Sequence, residues 1–182
     1  MTTEQRYLLY GDFNCPFCYA LHERLHAMGL LDRCEWRGVQ HAPHLPRPMK
    51  AWSGSLGAEL RHEVAMVERL APGLPIILPP GKPNTGAAIR LAASTLQRDR
   101  HRGMDVVRDL YRAFWCEGKD ISNSLVLDEF GLPDGDDLDH LLEAWHESWR
   151  AAGQAGVPLI VSPDGDQLVG CVPVEEVRRF FI

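Results

Sequence analysis

The sequence predicts an α/β fold in which a helical insertion separates the two halves of one sheet-containing domain. Three observations support this prediction: a β-α-β pattern at the start of the chain, helical periodicity through its middle, and a second β pattern near its end. The chain has 182 residues, which is enough for one domain with a sizeable core or for one domain that carries an insertion.

The first strand and the first helix meet at a pair of cysteines. Residues 7–10 form an apolar run typical of a strand, and residues 11–14 have the composition of a turn. From Pro16 onward, apolar side chains recur at helical spacing. Cys15 is therefore expected at or just before the N-terminus of this helix, with Cys18 one turn inside it.

A second strand and a long loop follow. Residues 34–39 alternate apolar and polar side chains, which predicts a strand parallel to the first and reached by a right-handed crossover. Residues 41–57 contain three prolines and two glycines. This composition predicts a loop that leaves the sheet.

The middle of the chain is predicted to be a helical subdomain of five segments. Asn84 or Thr85 can cap the second segment, and Ser122 or Asn123 can cap the fourth. Because apolar stripes must be buried, we expect these helices to cover the end of the sheet that carries Cys15 and Cys18. The stripes are Leu56, Leu60, Val64 and Val67; Ile89, Ala92, Ala93 and Leu96; Met104, Val107, Tyr111 and Phe114; and Leu138, Leu141, Leu142, Trp145 and Trp149.

The chain returns to a β pattern at its end. Residues 157–161 are an apolar run, residues 162–165 have a turn signature, and residues 167–171 are predicted to complete a hairpin. Pro173 can then open a last helix.

The element order is therefore β-α-β, helical insertion, β-hairpin and α, with a CxxC pair at the first helix. This order is that of the thioredoxin fold. We assign residues 1–50 and 153–182 to a thioredoxin-like domain and residues 51–152 to the helical insertion.

Composition argues against several classes of function. The net charge is −6, which argues against nucleic acid or an anionic membrane surface as the main partner. No apolar run approaches the roughly 20 residues that a membrane-spanning helix needs. Residues 1–6 lack the basic and apolar regions of a secretory signal. Taken as a native N-terminus, they predict a protein of the reducing cytoplasm, and the oligomeric state stays open.

The spacing of Cys15 and Cys18 indicates redox chemistry. Unpaired backbone N–H groups and the positive end of the helix dipole favour an anion at a helix N-terminus, here the thiolate of Cys15. A second thiol one turn away can resolve a mixed disulfide, so we assign Cys15 as nucleophile and Cys18 as resolving thiol. An alternative is a zinc site that His41 and His44 would complete.

The other three cysteines have no comparable spacing. They are Cys34, Cys116 and Cys171. An odd total of five cysteines in a chain of this kind does not indicate a disulfide framework. We expect these three to be small, buried, unreactive side chains.

Gly156, Val157 and Pro158 form the second half of the candidate site. A Val-Pro pair that opens a strand after a glycine suits a cis peptide bond, which is overwhelmingly a proline feature. Proline donates no N–H, so the exposed backbone of Val157 can pair with an extended thiol substrate. An ordinary trans proline at the start of an edge strand fits the pattern equally well.

Four segments of the chain resemble a known family. They are Tyr10-Gly-Asp-Phe-Asn-Cys15-Pro-Phe-Cys18-Tyr19, Asn84-Thr-Gly-Ala-Ala-Ile-Arg-Leu91, Phe114-Trp-Cys-Glu-Gly-Lys-Asp-Ile121 and Gly156-Val-Pro-Leu-Ile-Val161. In this order they are similar to the DsbA-like thioredoxin superfamily, in particular to its FrnE-like and hydroxychromene carboxylate isomerase-like branch. The resemblance implies a thioredoxin fold with a helical insertion, a cis Pro158 that faces Cys15, and dithiol-disulfide oxidoreductase activity.

Two departures from the family pattern bear on function. The isomerase and kappa-class glutathione transferase relatives typically carry serine where this chain has Cys15, so a complete CxxC favours redox chemistry. Phe17 cannot donate a hydrogen bond to the Cys15 thiolate as the histidine of DsbA can. The strongly oxidising character of DsbA is therefore not expected.

The leading hypothesis is a cytoplasmic thiol-disulfide oxidoreductase that acts on a disulfide-containing protein or a small thiol. Its catalytic residues would be Cys15, Cys18 and Pro158, and its substrate contacts Pro16, Phe17 and Val157. No metal or resident cofactor is expected, although glutathione could act as co-substrate. Two alternatives stay open: a glutathione-dependent isomerase or transferase, and a non-enzymatic dithiol, metal-binding or chaperone-like module.

Overall fold

Four strands form one mixed sheet in the described part of the chain. The computed structural model describes residues 6–131, 137–153 and 156–182. Residues 1–5, on which the expectation about the compartment partly rests, lie outside the described residues. The strands are β1 (Tyr7–Gly11), β2 (Cys34–Gly38), β3 (Leu159–Val161) and β4 (Gln167–Val169), and their order across the sheet is β2-β1-β3-β4.

The inner strand β1 joins the two halves of the sheet. It pairs in parallel with β2, where Gly11 lies opposite Gly38, and antiparallel with β3, where Tyr10 lies opposite Leu159. β3 and β4 form an antiparallel hairpin. The carboxyl end of β1 therefore lies between the carboxyl end of β2 and the beginning of β3.

The helices follow the predicted order. They are α1 (Pro16–Ala27), α2 (Ser55–Leu70), α3 (Gly86–Arg98), α4 (Arg100–Trp115), α5 (Ser124–Leu127), α6 (Leu138–Ala151) and α7 (Val174–Phe180), with a short 3-10 turn at Leu31–Arg33. Among the described residues, none of the helices combines the length and the apolar character needed to cross a membrane.

Two element ends differ from the sequence-based expectation. β3 begins at Leu159 rather than at residue 157, although the Pro158 carbonyl still accepts a hydrogen bond from the Gly170 N–H at 2.9 Å. Pro173 precedes α7 as its N-cap instead of opening it. Of the two cap residues predicted for α3, Asn84 makes the bond: its Oδ1 accepts from the Gly86 N–H at 3.1 Å, whereas the Thr85 side chain makes no capping bond.

The insertion shares one apolar core with the sheet. The Phe13 ring packs against Trp36 of β2 and Tyr111 of α4, at centroid distances of 5.2 and 4.9 Å. The Trp115 indole N–H donates to the Phe13 carbonyl at 2.8 Å, and Asn14 Nδ2 donates to the Pro83 carbonyl at 2.9 Å. The turn before the cysteines is thus held by the insertion, while the division at residues 51–152 stays a prediction.

The three remaining cysteines do not share one environment. Cys34 and Cys171 are buried, but Cys116 is only partly buried, so the expectation that it is buried is wrong. Cys116 follows the last turn of α4, where the chain comes to the surface. Its Sγ lies 3.2 Å from the Tyr19 hydroxyl and 3.3 Å from the Pro75 carbonyl oxygen.

Candidate active site

The two cysteines occupy the beginning of α1. Cys15 is the N-cap residue, with extended backbone angles (φ −102°, ψ 115°), and Pro16 follows at the first helical position. Cys18 lies in the first turn and points into the core, with 3% of its surface exposed compared with 8% for Cys15. Proline at this position suits the helix start because its missing N–H would have no helical partner.

The loop before β3 lies against Cys15. The peptide bond between Val157 and Pro158 is cis. The Cys15 thiol donates to the Val157 carbonyl oxygen over an Sγ–O distance of 3.6 Å. Because β1 and β3 are antiparallel neighbours, the end of β1 and the beginning of β3 meet at this point.

The two residues between the cysteines have different exposures. Pro16 is buried, while Phe17 is partly exposed. The Phe17 ring packs against a small apolar cluster that includes Ala20, Val67 and Cys171. Phe17 therefore forms part of the surface next to the dithiol, as does the partly exposed Val157.

Burial keeps the Cys18 thiol protonated. Burial is the largest cause that raises the pKa of Cys18 well above its usual value, and the hydrogen bond to Cys15 and the nearby Cys15 and Asp12 charges raise it further. A hydrogen bond from the Asp12 backbone acts in the opposite direction. Cys18 therefore has to lose a proton before it can attack a disulfide.

A buried carboxylate lies next to the dithiol. Asp12 is fully buried, and its Oδ2 accepts from the His41 backbone N–H at 2.9 Å and lies 2.6 Å from His41 Nδ1. Asp12 Oδ1 has no hydrogen-bond partner among the described residues. The carbonyl oxygen of Asp12 accepts from the Cys15 N–H at 3.2 Å. A carboxylate with one unused acceptor atom so close to Cys18 can take up a proton.

A buried tyrosine, Tyr111 of α4, lies near Cys18. Burial is the largest cause that raises the pKa of Tyr111 well above its usual value, so the phenol stays neutral. A Cβ on Gly11 would lie 2.7 Å from the Tyr111 hydroxyl oxygen. Glycine at position 11 is therefore what allows β1 and α4 to approach each other under the cysteines.

The structure brings together the six residues that the sequence singled out. They are Cys15, Pro16, Phe17, Cys18, Val157 and Pro158. Whether each of them acts in catalysis or substrate binding stays a prediction. For the zinc alternative, His41 contacts Asp12, and within the described ranges no group of three or more His, Cys, Asp or Glu side chains is arranged to hold a metal ion.

Sequence reasoning missed Asp12, Tyr111 and the role of His41 beside Asp12. Asp12 lies in a Gly-Asp-Phe-Asn stretch, which is typical of an exposed turn. The loop carrying His41 and the helix carrying Tyr111 meet this turn only in the folded chain. The one available signal was the position of Asp12 three residues before Cys15.

The model of the DSBA-like thioredoxin domain matches residues 8–181 of the chain. This match covers the strands, the helical insertion and the last helix. No curated protein sequence matches the chain at a significant level.

Several solved structures have the same fold. A probable DsbA oxidoreductase from Streptomyces coelicolor matches with a TM-score of 0.72 and 19% identity, over 96% of this chain and 87% of that chain. The cytosolic disulfide reductase DsbM from Pseudomonas aeruginosa, solved with GSH, matches with a TM-score of 0.71 and 17% identity, over 97% and 96% of the two chains. A 2-hydroxychromene-2-carboxylate isomerase matches with a TM-score of 0.64 and 15% identity, over 96% and 92%. At these identities the likeness shows the thioredoxin-like fold.

Proposed function

The chain belongs to the DSBA-like thioredoxin domain family, and from that premise we propose that it is a thiol-disulfide oxidoreductase whose reacting pair is Cys15 and Cys18. The observation that carries this proposal is the placement of both thiols at the beginning of α1, with Cys15 at the N-cap and Cys18 one turn inside the helix and less exposed. The Val157 carbonyl next to Cys15 Sγ supports Val157 and Pro158 as the neighbouring substrate contacts.

The first chemical step is attack of the Cys15 thiolate on one sulfur of a substrate disulfide. A disulfide between Cys15 and the substrate forms, the substrate S–S bond breaks, and the departing sulfur leaves as a thiolate that takes up a proton. The helix N-terminus stabilises the attacking anion.

The second step releases the substrate. The Cys18 thiol gives up its proton, and its sulfur attacks Cys15 Sγ, which closes the Cys15–Cys18 disulfide and expels the second substrate thiolate. The substrate is reduced by two electrons and the protein is oxidised by two. Two small thiols, such as two molecules of glutathione, reverse the steps and restore the dithiol.

The surroundings of Cys18 support an internal proton acceptor for the second step. The raised pKa of Cys18 keeps it protonated at neutral pH. Asp12 Oδ1 is buried without a hydrogen-bond partner among the described residues, and Asp12 Oδ2 contacts the partly exposed His41. A proton from Cys18 could therefore pass to the carboxylate and leave through the imidazole.

The proposal is tested with cysteine variants in a glutathione-coupled disulfide reduction assay. Cys15→Ser should abolish turnover, because no attacking thiolate remains. Cys18→Ser should still form the mixed disulfide on Cys15, visible by mass spectrometry, but should turn over slowly. Cys116→Ser is the matched control, since it removes a partly exposed thiol outside the pair and should leave turnover unchanged. Unchanged activity in Cys15→Ser would overturn the proposal.

One observation supports the alternative of a glutathione-dependent isomerase or transferase. The fold resembles that of a 2-hydroxychromene-2-carboxylate isomerase. In such a reaction, Cys15 would activate bound glutathione, and Cys18→Ser would retain full activity together with saturable glutathione binding. Stoichiometric zinc in protein purified without chelators would instead support a metal-binding module.

A cytoplasmic setting is part of the same proposal. It is supported by the fold likeness to a reductase named as cytosolic. Measuring the redox state of the Cys15–Cys18 pair in intact cells by alkylation trapping tests it, and a pair that is mostly oxidised at rest would contradict it.

A further inference from the structure

A cavity of about 580 Å³ opens between the loop after β2, the beginning of α3 and the helix α6. Gly38, the last residue of β2, lines the cavity and pairs with Gly11, the last residue of β1. The cavity and the dithiol therefore lie at the carboxyl ends of neighbouring strands, which are about 4.8 Å apart in a sheet. The cavity is on the β2 side of Cys15, whereas the Val157–Pro158 loop is on the β3 side.

Four hydrogen-bond donors beside this cavity share one acceptor atom. Asn84 Oδ1 accepts hydrogen bonds from Gln40 Nε2 at 2.8 Å, from Arg47 Nη2 at 2.9 Å, from Arg47 Nε at 3.1 Å and from the Gly86 N–H at 3.1 Å. An amide oxygen has two lone pairs, so four donors converge on an atom that can satisfy about half of them. Asn84 Nδ2 in turn donates to the Pro43 and Leu45 carbonyls, which fixes the loop that carries Arg47.

The charged side chains of the cavity are mostly positive. Arg47, Arg90 and Arg150 line it, together with one acid, Glu143. Arg90 is already paired with Asp139. Arg47 and Arg150 have no ion-pair partner among the described residues.

The remaining titratable group in the wall is uncharged at neutral pH. Burial, followed by the nearby Arg150 charge, lowers the pKa of His146 below its usual value. Its neutral ring adds no charge to the wall and can still offer a donor or an acceptor to a ligand. Arg150 and the donor cluster that contains Arg47 are therefore left without an ion-pair partner among the described residues.

We propose that this cavity is an anion subsite that holds a carboxylate of an acidic disulfide substrate while its sulfur reaches Cys15. The inference rests on the proposed oxidoreductase function and names its substrate class: disulfides that carry a carboxylate a few bonds from sulfur. Arg47 can bind a carboxylate through two parallel N–H donors. Arg150, on the facing helix α6, supplies the second positive charge. The bound carboxylate would accept from the donors that Asn84 Oδ1 cannot satisfy.

The test compares two disulfides of equal size and different charge, dithiodipropionate and its uncharged diamide. For the wild-type protein, kcat/KM should be higher for the dianion by about tenfold, the size expected for charge-assisted hydrogen bonds. The preference should shrink as salt rises. In the double variant Arg47→Gln and Arg150→Gln, the two substrates should react at similar rates.

The matched control is Arg102→Gln. Arg102 is exposed at the beginning of α4. Arg100, in the same turn, donates to the carbonyls of Leu31 and Cys34 at the beginning of β2, which is the end of that strand opposite Gly38. This variant loses a positive charge without touching the cavity, so it should keep the full preference for the dianion. If it loses the preference too, general charge attraction and not a subsite explains the result, and the proposal fails.

A redox-inactive probe separates this proposal from the proposed function. Suberate has the length of dithiodipropionate but no sulfur, and its binding is measured by calorimetry with the Cys15→Ser protein. Saturable suberate binding that the arginine double variant abolishes supports the subsite even if no disulfide is turned over. Turnover of both disulfides at equal rates by the wild type, with no suberate binding, overturns the subsite and leaves the oxidoreductase function intact.

Discussion

His41 Nδ1 lies 2.6 Å from Asp12 Oδ2, and the two side chains have opposite exposures: the carboxylate is fully buried, whereas the imidazole is 32% exposed. The pair therefore connects the interior under Cys18 with the solvent. Asp12 Oδ1 has no hydrogen-bond partner among the described residues, so one oxygen of the carboxylate is free to accept a proton while the other contacts His41.

Asp12→Asn is predicted to slow the step in which Cys18 releases the mixed disulfide. The amide cannot accept the Cys18 proton, so the single-turnover rate at neutral pH should fall by about a hundredfold, the lower end of general-base effects. At alkaline pH, hydroxide replaces the carboxylate and the difference should disappear. His41→Gln keeps the carboxylate and should cause a smaller loss.

A faster release step in Asp12→Asn would point to a purely electrostatic effect of Asp12 on Cys18. The Asp12 charge raises the pKa of Cys18, so its removal alone would make Cys18 easier to deprotonate. A faster release step in Asp12→Asn at every pH would mean that this charge effect dominates and that Asp12 is not the proton acceptor.

Cys15 is predicted to be alkylated well before Cys18. Cys18 is buried with a raised pKa, and thiols react with iodoacetamide as thiolates. Labelling of the reduced protein across a pH series, read by peptide mass spectrometry, should give modification at Cys15 at lower pH and shorter times. Preferential labelling of Cys18 at low pH would reverse the assignment of nucleophile and resolving thiol.

His22 is predicted to make the fold less stable below pH 6.5. Burial is the largest cause that lowers the pKa of His22 from 6.5 to about 4. Between these values the unfolded chain binds a proton that the folded protein does not, so the free energy of unfolding falls as pH falls. The loss should be on the order of 3 kcal/mol, at about 1.4 kcal/mol for each pH unit of difference.

Urea unfolding between pH 4 and pH 7 measures this effect. His22→Leu removes the titrating group from a site where both ring nitrogens lack hydrogen-bond partners among the described residues. Its unfolding free energy should therefore depend less on pH than that of the wild type. Parallel pH profiles for the two proteins would show that His22 is not the group responsible.

Asn84→Ala is predicted to destabilise the fold by about 3 kcal/mol, because it removes several buried hydrogen bonds at once. The side chain joins the carbonyls of Pro43 and Leu45 to the first turn of α3. Asn123→Ala is the control, since Asn123 makes one capping bond to the Leu125 N–H and should cost about 1 kcal/mol. Equal unfolding free energies for the two variants would contradict the prediction, because the several bonds of Asn84 would then contribute no more than the single bond of Asn123.

Local sequence patterns were enough to predict the order of the elements and the position of the dithiol. Helical periodicity, cap residues and turn signatures are local, and they predicted α1 with Cys15 at its beginning, the helical middle and the final hairpin. Local rules also predicted Leu60, Val64 and Val67 as buried positions of α2, because a helix repeats every 3.6 residues whatever it packs against.

The polar groups that surround the dithiol come together only when the chain folds. Asp12 and His41 are 29 residues apart, and Asn84 meets Gln40 and Arg47 across the loop after β2. Such contacts depend on how the insertion packs against the sheet, which no local pattern encodes. The same reason explains why Cys116 was wrongly expected to be buried: its exposure depends on where α4 ends relative to the surface, not on its own residue type.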